Sequence, residues 1–254
     1  AAIETIKVIR EKVNNDESLQ ELIDLLKSDI ELRSNFLANP VNLIEQQLFP
    51  MGNYGTAMTP FYTTLSLRVG VLLLTSVLGV DPHGMVDENG EKIKFNSIES
   101  YFGKLLLFIS ICLIQSVIVA LGDLFYLKIY SVHPVYFVLF SMFISCVFAV
   151  IVYTVCSVFG NAGKVIGIVL LVIQIGGSGG TFPIELTPKF FQSIHPFLPF
   201  TYAVSLLRES VGGTVVKVVS TDLTALAFFG GLFILIGTFL KKPFSKVISN
   251  FSHK

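Results

Sequence analysis

Along the chain, long apolar runs alternate with short polar ones, which predicts a bundle of bilayer-length helices. The first stretch is different. From Ala1 to Asn39, apolar residues recur at helical spacing among many charges: Ile3, Ile6, Ile9 and Val13, then Leu19, Leu22, Ile23, Leu26 and Ile30. Two amphipathic helices are expected there, separated by Asn14-Asn15-Asp16 and ended at Asn39-Pro40, because a residue before proline is pushed out of the helical region. They would form either a stalk carrying a larger domain or a helical hairpin packed on the membrane part. Pro50, Gly52, Gly55 and Pro60 then predict a linker. The expected division is an extracellular helical or stalk end over 1–50 and a membrane domain over 51–254.

Five spans are predicted, at about 61–79, 105–127, 135–159, 165–182 and 223–240. The first has to include Arg68, because Val69–Val80 alone falls short of the roughly 20 residues a spanning helix needs. An arginine inside the membrane costs roughly 2.5–3.5 kcal/mol on insertion scales. Two arrangements would relieve that: snorkelling to the near interface, or an ion pair with Asp123, which lies toward the same membrane face in the second span. A polar loop with turn chemistry, carrying Asp81, His83, Lys92 and Lys94, joins these two spans and would be the docking place for an ATPase. No fixed-period repeat is visible, which argues against an inverted-repeat carrier.

The fourth span empties into Gly176-Gly177-Ser178-Gly179-Gly180-Thr181-Phe182-Pro183. Glycines at this spacing, like Gly163 and Gly167 earlier, allow close helix approach. The run reads either as a broken helix lining a pathway, an outer gate, or as a packing notch. Beyond it, Phe190, Phe191, Phe197, Phe200 and Tyr202 interleave with Pro188, Pro196 and Pro199. That composition predicts a re-entrant or interfacial helical segment over 184–212 instead of a further crossing.

Composition agrees: 52% of residues are hydrophobic, 14% are charged and the mean hydropathy is +0.72, against about 25% charged in soluble domains. The formal net charge of zero gives no sign of nucleic-acid binding. Cys112, Cys146 and Cys156 all lie in apolar runs and are odd in number, so free buried thiols are expected. Gly160-Asn161-Ala162-Gly163-Lys164-Val165 has neither the spacing nor the hydroxyl of a phosphate-binding loop. Gly176-Gly-Ser-Gly-Gly180 matches a nucleophile elbow in form, yet follows a membrane helix and not a strand. His83, His133, His195 and His253 are far apart, so no metal site, no cofactor and no enzyme activity are expected.

Charge distribution predicts orientation. With the tail inside, Lys92, Lys94, Lys104, Lys164, Lys241, Lys242, Lys246 and Lys254 outnumber the outer Lys128, Lys189, Arg208 and Lys217. The C-terminus is therefore expected in the cytoplasm and the N-terminal segment outside. The latter asks for a further span upstream, in keeping with a first residue that is not Met.

Several stretches, taken together, resemble a known family. They are Asn53-Tyr54-Gly55, Met58-Thr59-Pro60-Phe61-Tyr62-Thr63, the glycine run to Pro183, His195-Pro196-Phe197-Leu198-Pro199-Phe200-Thr201-Tyr202-Ala203 and Leu207-Arg208-Glu209. From about Leu37 onward they resemble the C-terminal membrane region of the YhgE/Pip (phage infection protein) family. That family is similar to type-2 permeases of ABC exporters and to the EsaA component of type VII secretion. The resemblance implies an all-α, type-2 permease-like bundle in the envelope of Gram-positive cells, with an extracellular domain and a first span lying upstream. It implies export or secretion through a homodimeric path driven by a separate ATPase. The second reading is a non-transporting anchor that displays the extracellular domain as a phage receptor or secretion scaffold.

Overall fold

The computed structural model describes residues 51–79 and 96–252. The amphipathic helices expected before residue 51, and the loop with Asp81, His83, Lys92 and Lys94, lie outside the described residues.

All the described elements are helical. Helix α1, Tyr54–Val77, begins well before the expected 61, inside the supposed linker. Asn53 caps it, its side-chain oxygen accepting the Thr56 N–H at 2.7 Å. Pro60 lies within the helix, where its missing N–H leaves a carbonyl one turn back without its usual donor. Nearby hydroxyls add bonds to other carbonyls of this turn: Thr59 Oγ1 donates to the Gly55 carbonyl at 2.8 Å and Thr64 Oγ1 to that of Pro60 at 2.7 Å. Helix α2, Ser97–Leu121, also starts earlier than expected, with the Glu99 carboxylate accepting the Asn96 N–H at 3.1 Å. A π-helical turn, Gly122–Tyr126, completes it.

Helix α3, Pro134–Phe159, is opened by a proline at its start and buried along most of its length. It packs against α1, α2 and all the longer helices that follow, so it is the axis of the bundle. Helix α4, Asn161–Gly177, is only 17 residues, about 25 Å at 1.5 Å per residue. It stops short of the expected 182 because Gly179 takes a left-handed φ of +64°. Prolines then punctuate the chain into pieces: a 3-10 turn at Ile184–Leu186, the short helix α5 at Lys189–Ile194, a 3-10 turn at His195–Phe197, and α6 at Pro199–Gly212. Glu209 accepts the Val215 N–H at 2.6 Å, and α7 runs unbroken from Val216 to Ser252.

Among the described residues, four helices are long and apolar enough to cross a membrane: Tyr54–Val77, Ile98–Tyr126, Pro134–Phe159 and Val216–Lys241, with α4 a shorter apolar helix beside them. In the first and third, 56% of the spanning window is buried, against 28% and 17% in the second and last. Thus α1 and α3 form the centre, and α2 and α7 present outer faces suited to lipid. Two ends of the bundle can be recognised. At one, Tyr130 N–H reaches Thr56 Oγ1 at 3.4 Å and the His133 N–H bonds the Ser210 carbonyl at 3.1 Å. At the other, Lys104 Nζ bonds the Gly79 carbonyl at 3.4 Å and Lys241 lies over the Tyr101 ring at 5.7 Å.

Segment 184–212 was expected to be re-entrant or interfacial. Its last part, α6, buries one face, with Phe200, Ala203, Val204, Leu206, Leu207, Ser210 and Val211 packed against α1, α3 and α7 and Arg208 on the exposed face. A ring sequence ties it in, with Phe61 edge-on to Phe200 at 5.8 Å and Phe148 stacked on Phe200 at 6.2 Å.

Candidate functional site

The glycine run forms the junction between α4, α6 and the proline-rich segment. A Cβ at Gly177 would lie 2.6 Å from Leu198 Cδ1, and one at Gly176 3.1 Å from the Phe191 ring. At Gly180 it would overlap Phe61. Ser178 Oγ donates to the Ile175 carbonyl at 3.2 Å and accepts the Gly180 N–H at 3.2 Å, which shapes the turn through Gly179. Gly176, Gly177, Ser178, Gly179 and Gly180 are thus closely packed, with Pro183 on the wall of an adjacent recess.

That recess, about 320 Å³, is lined by Ser178, Pro183, His195, Thr201, Ser205 and Arg208 among others. Two side chains fasten the glycine run from across it. Arg208 Nη2 donates to the carbonyls of Gly180 at 2.7 Å and Gly179 at 3.3 Å. His195 Nδ1 bonds the Gly177 carbonyl at 2.6 Å, which makes Nδ1 the protonated nitrogen. Burial lowers the pKa of Arg208 from its usual value. The sequence places Arg208 and His195 in recognisable motifs, but nothing in their spacing says that they hold the backbone of a loop some 20–30 residues back.

The expected pair between Arg68 and Asp123 is not formed. Asp123 Oδ2 accepts the Thr63 hydroxyl at 2.5 Å. Thr63 and Arg68 are five residues apart, about 140° around a helix, so the two look in different directions. Nor does Arg68 snorkel. It is 1% exposed, its guanidinium lies 5.1 Å from the Phe148 ring centroid, and neither Nε nor Nη1 has a hydrogen-bond partner. The sequence identified Arg68 as unusual but could not give the direction of its side chain. Gln174, on α4, is likewise 3% exposed with Oε1 unpartnered, and the sequence did not single it out.

Ser157 Oγ and Asp222 Oδ2 are also buried without a hydrogen-bond partner, whereas the polar groups around Tyr101 are paired within the core. Tyr101 Oη and Thr154 Oγ1 are 2.7 Å apart, and Tyr153 Oη donates to the Tyr101 carbonyl at 3.1 Å. Cys112, Cys146 and Cys156 are free thiols.

Comparison with known proteins sets this arrangement in context. Residues 2–239 match a family described as ABC-2 family transporter protein. Over 174 residues the chain is 34% identical to the uncharacterized protein YhgE of Bacillus subtilis (strain 168), a match covering 68% of this chain and 22% of that protein. No solved structure matches.

Proposed function

Because the chain belongs to the ABC-2 family of transporter proteins, we propose that this permease-like membrane protein forms the membrane path of an exporter whose energy comes from a separate ATPase. The observation that carries the reading is the fastening of the glycine run by Arg208 across a polar recess. A gate needs a segment held shut by a few directional contacts that rearrangement can break. Two hydrogen bonds from one guanidinium to Gly179 and Gly180 have that character, whereas an interlocked apolar core does not.

In this reading the recess faces outside and the segment over residues 80–95 between α1 and α2 meets the ATPase on the cytoplasmic side, as the lysine distribution favours. The weakly buried faces of α2 and α7 are the surfaces from which a homodimer would be built. The matched region is a fifth of the relative's length, so a large extracellular part would accompany the membrane domain, and a phage particle would meet the protein there.

The test is purification of the protein from its native membrane with any bound ATPase. The exporter reading expects an ATPase to accompany it and to be lost when residues 80–95 are replaced by a neutral linker. Absence of any associated ATPase would favour the anchor reading, in which the glycine run serves packing alone.

A further inference from the structure

At one junction in the bundle, a buried positive charge has no negative partner among the described residues. Arg68, midway along α1, is 1% exposed with Nε and Nη1 unpartnered, and its guanidinium lies over the face of Phe148 at 5.1 Å. Cys156 on α3 lies within electrostatic reach of both Arg68 and Lys164. Helix α4 seals this place: a Cβ on Gly163 would come 2.7 Å from the Cys156 Cα. A desolvated, unpaired guanidinium is strongly unfavourable. Its planar fork matches phosphate and carboxylate oxygens.

The fully buried positions of α4 are Gly163, Gly167, Gln174 and Gly177, so backbone rather than large side chains meets α1 and α3 there, with Leu171 and Ile175 partly buried against the core. Gln174 Oε1 adds a second unpartnered polar atom to that buried face. Both ends of the helix adjoin left-handed glycines, Gly160 at φ +59° and Gly179 at φ +64°, where no Cβ restricts backbone rotation.

We propose that Arg68 and Lys164 form an intramembrane oxyanion site at the junction of α1, α3 and α4, which takes a phosphate or carboxylate group when α4 lifts from its glycine seam. Lys164, about 5 Å from the start of α4, draws the anion in; Arg68, about 14 Å from the C-terminal end of α1, holds it through Nε and Nη1. The site deepens the exporter reading by giving its cargo an anionic group, and rests on that reading only for the cargo.

Cys156 is a native reporter for the site. In a C112A/C146A background, the protein in phosphatidylcholine vesicles is labelled with an anionic sulfonatoethyl or a cationic trimethylammonioethyl methanethiosulfonate, each rate normalised to that with free mercaptoethanol. The anionic reagent should be favoured about tenfold; R68K should keep the preference, R68Q should abolish it and K164Q should reduce it. Protection by added inorganic phosphate would identify a water-borne anion, and protection by replacing part of the lipid with phosphatidylglycerol would identify a lipid headgroup. Equal normalised rates, failure of both reagents to reach Cys156, a preference that survives R68Q in a folded variant, or protection by neither anion would each overturn the proposal. Because labelling needs no transport, a negative ATPase result leaves this test intact, and a negative labelling result leaves the ATPase test intact.

Discussion

Single residues decide how closely the helices approach. Gly180 sits where a Cβ would overlap the Phe61 ring, and Phe61 is itself wedged edge-on against Phe200. Gly180→Ala should therefore cost about 1–3 kcal/mol through overpacking. Phe61→Leu in the same chain should recover part of that, because the smaller side chain removes the clash. Thermal unfolding in detergent measures both, and equal losses in the single and double variants would refute the contact. The buried pair Tyr101–Thr154, 2.7 Å apart, behaves differently. Tyr101→Phe strands the Thr154 hydroxyl and should lose about 1–3 kcal/mol, whereas combining it with Thr154→Val should lose less, since no unsatisfied group remains. A double-mutant cycle with no coupling would remove this hydrogen bond from the account.

At the scale of elements, helix ends depended on side-chain hydrogen bonds. Helix α1 begins at Tyr54 because Asn53 accepts the Thr56 N–H, which extends the helix back through Gly55 and Pro60. Asn53→Ala should cost about 1 kcal/mol, and Asn53→Ser or Asn53→Asp should retain most of the stability, as read by melting temperature. A uniform loss across all three would mean that the cap is not what starts the helix. Helix α4 is the counterpart. Its 17 residues end where Gly179 turns left-handed, so a single backbone angle sets its length. Gly179→Ala forces a side chain into that conformation and should lower stability by about 1 kcal/mol. Gly179→Asn should be tolerated better, because Asn visits the left-handed region more readily.

For the whole molecule, chain reversals place 128 and 217 at the end that carries Thr56, and 104 and 241 at the end that carries Gly79. Cysteines introduced singly at Lys217 and at Lys242, in a background without native thiols, should label from opposite sides of intact cells. The lysine distribution predicts that Lys217→Cys reacts with an impermeant reagent from outside and Lys242→Cys only after lysis. The reverse result would invert the orientation and move the Arg208 recess to the cytoplasmic face. At the same end, α6 buries its apolar face against α1, α3 and α7.

Much of this was legible in the sequence, for a physical reason. Apolar runs of bilayer length must become helices, because lipid offers no partner for backbone N–H and C=O groups. That requirement is local, so α2, α3 and α7 could be located from hydropathy alone, and the prolines of segment 184–212 already marked its short helices. Helix starts were less legible, since Asn53 and Glu99 act through cap geometry that outweighs a nearby proline or a polar composition. The direction of side chains was not legible at all. Whether Arg68 meets Asp123 depends on the rotation of α1 against two neighbours, and a difference of about 140° sends Thr63 to the carboxylate and Arg68 to Phe148. Arg208 and the carbonyls of Gly179 and Gly180 are similarly joined by folding alone. Sequence fixes which segments must be helical because each satisfies its own backbone; only packing of the helices decides which polar groups face one another, because that depends on azimuth and depth across the whole bundle.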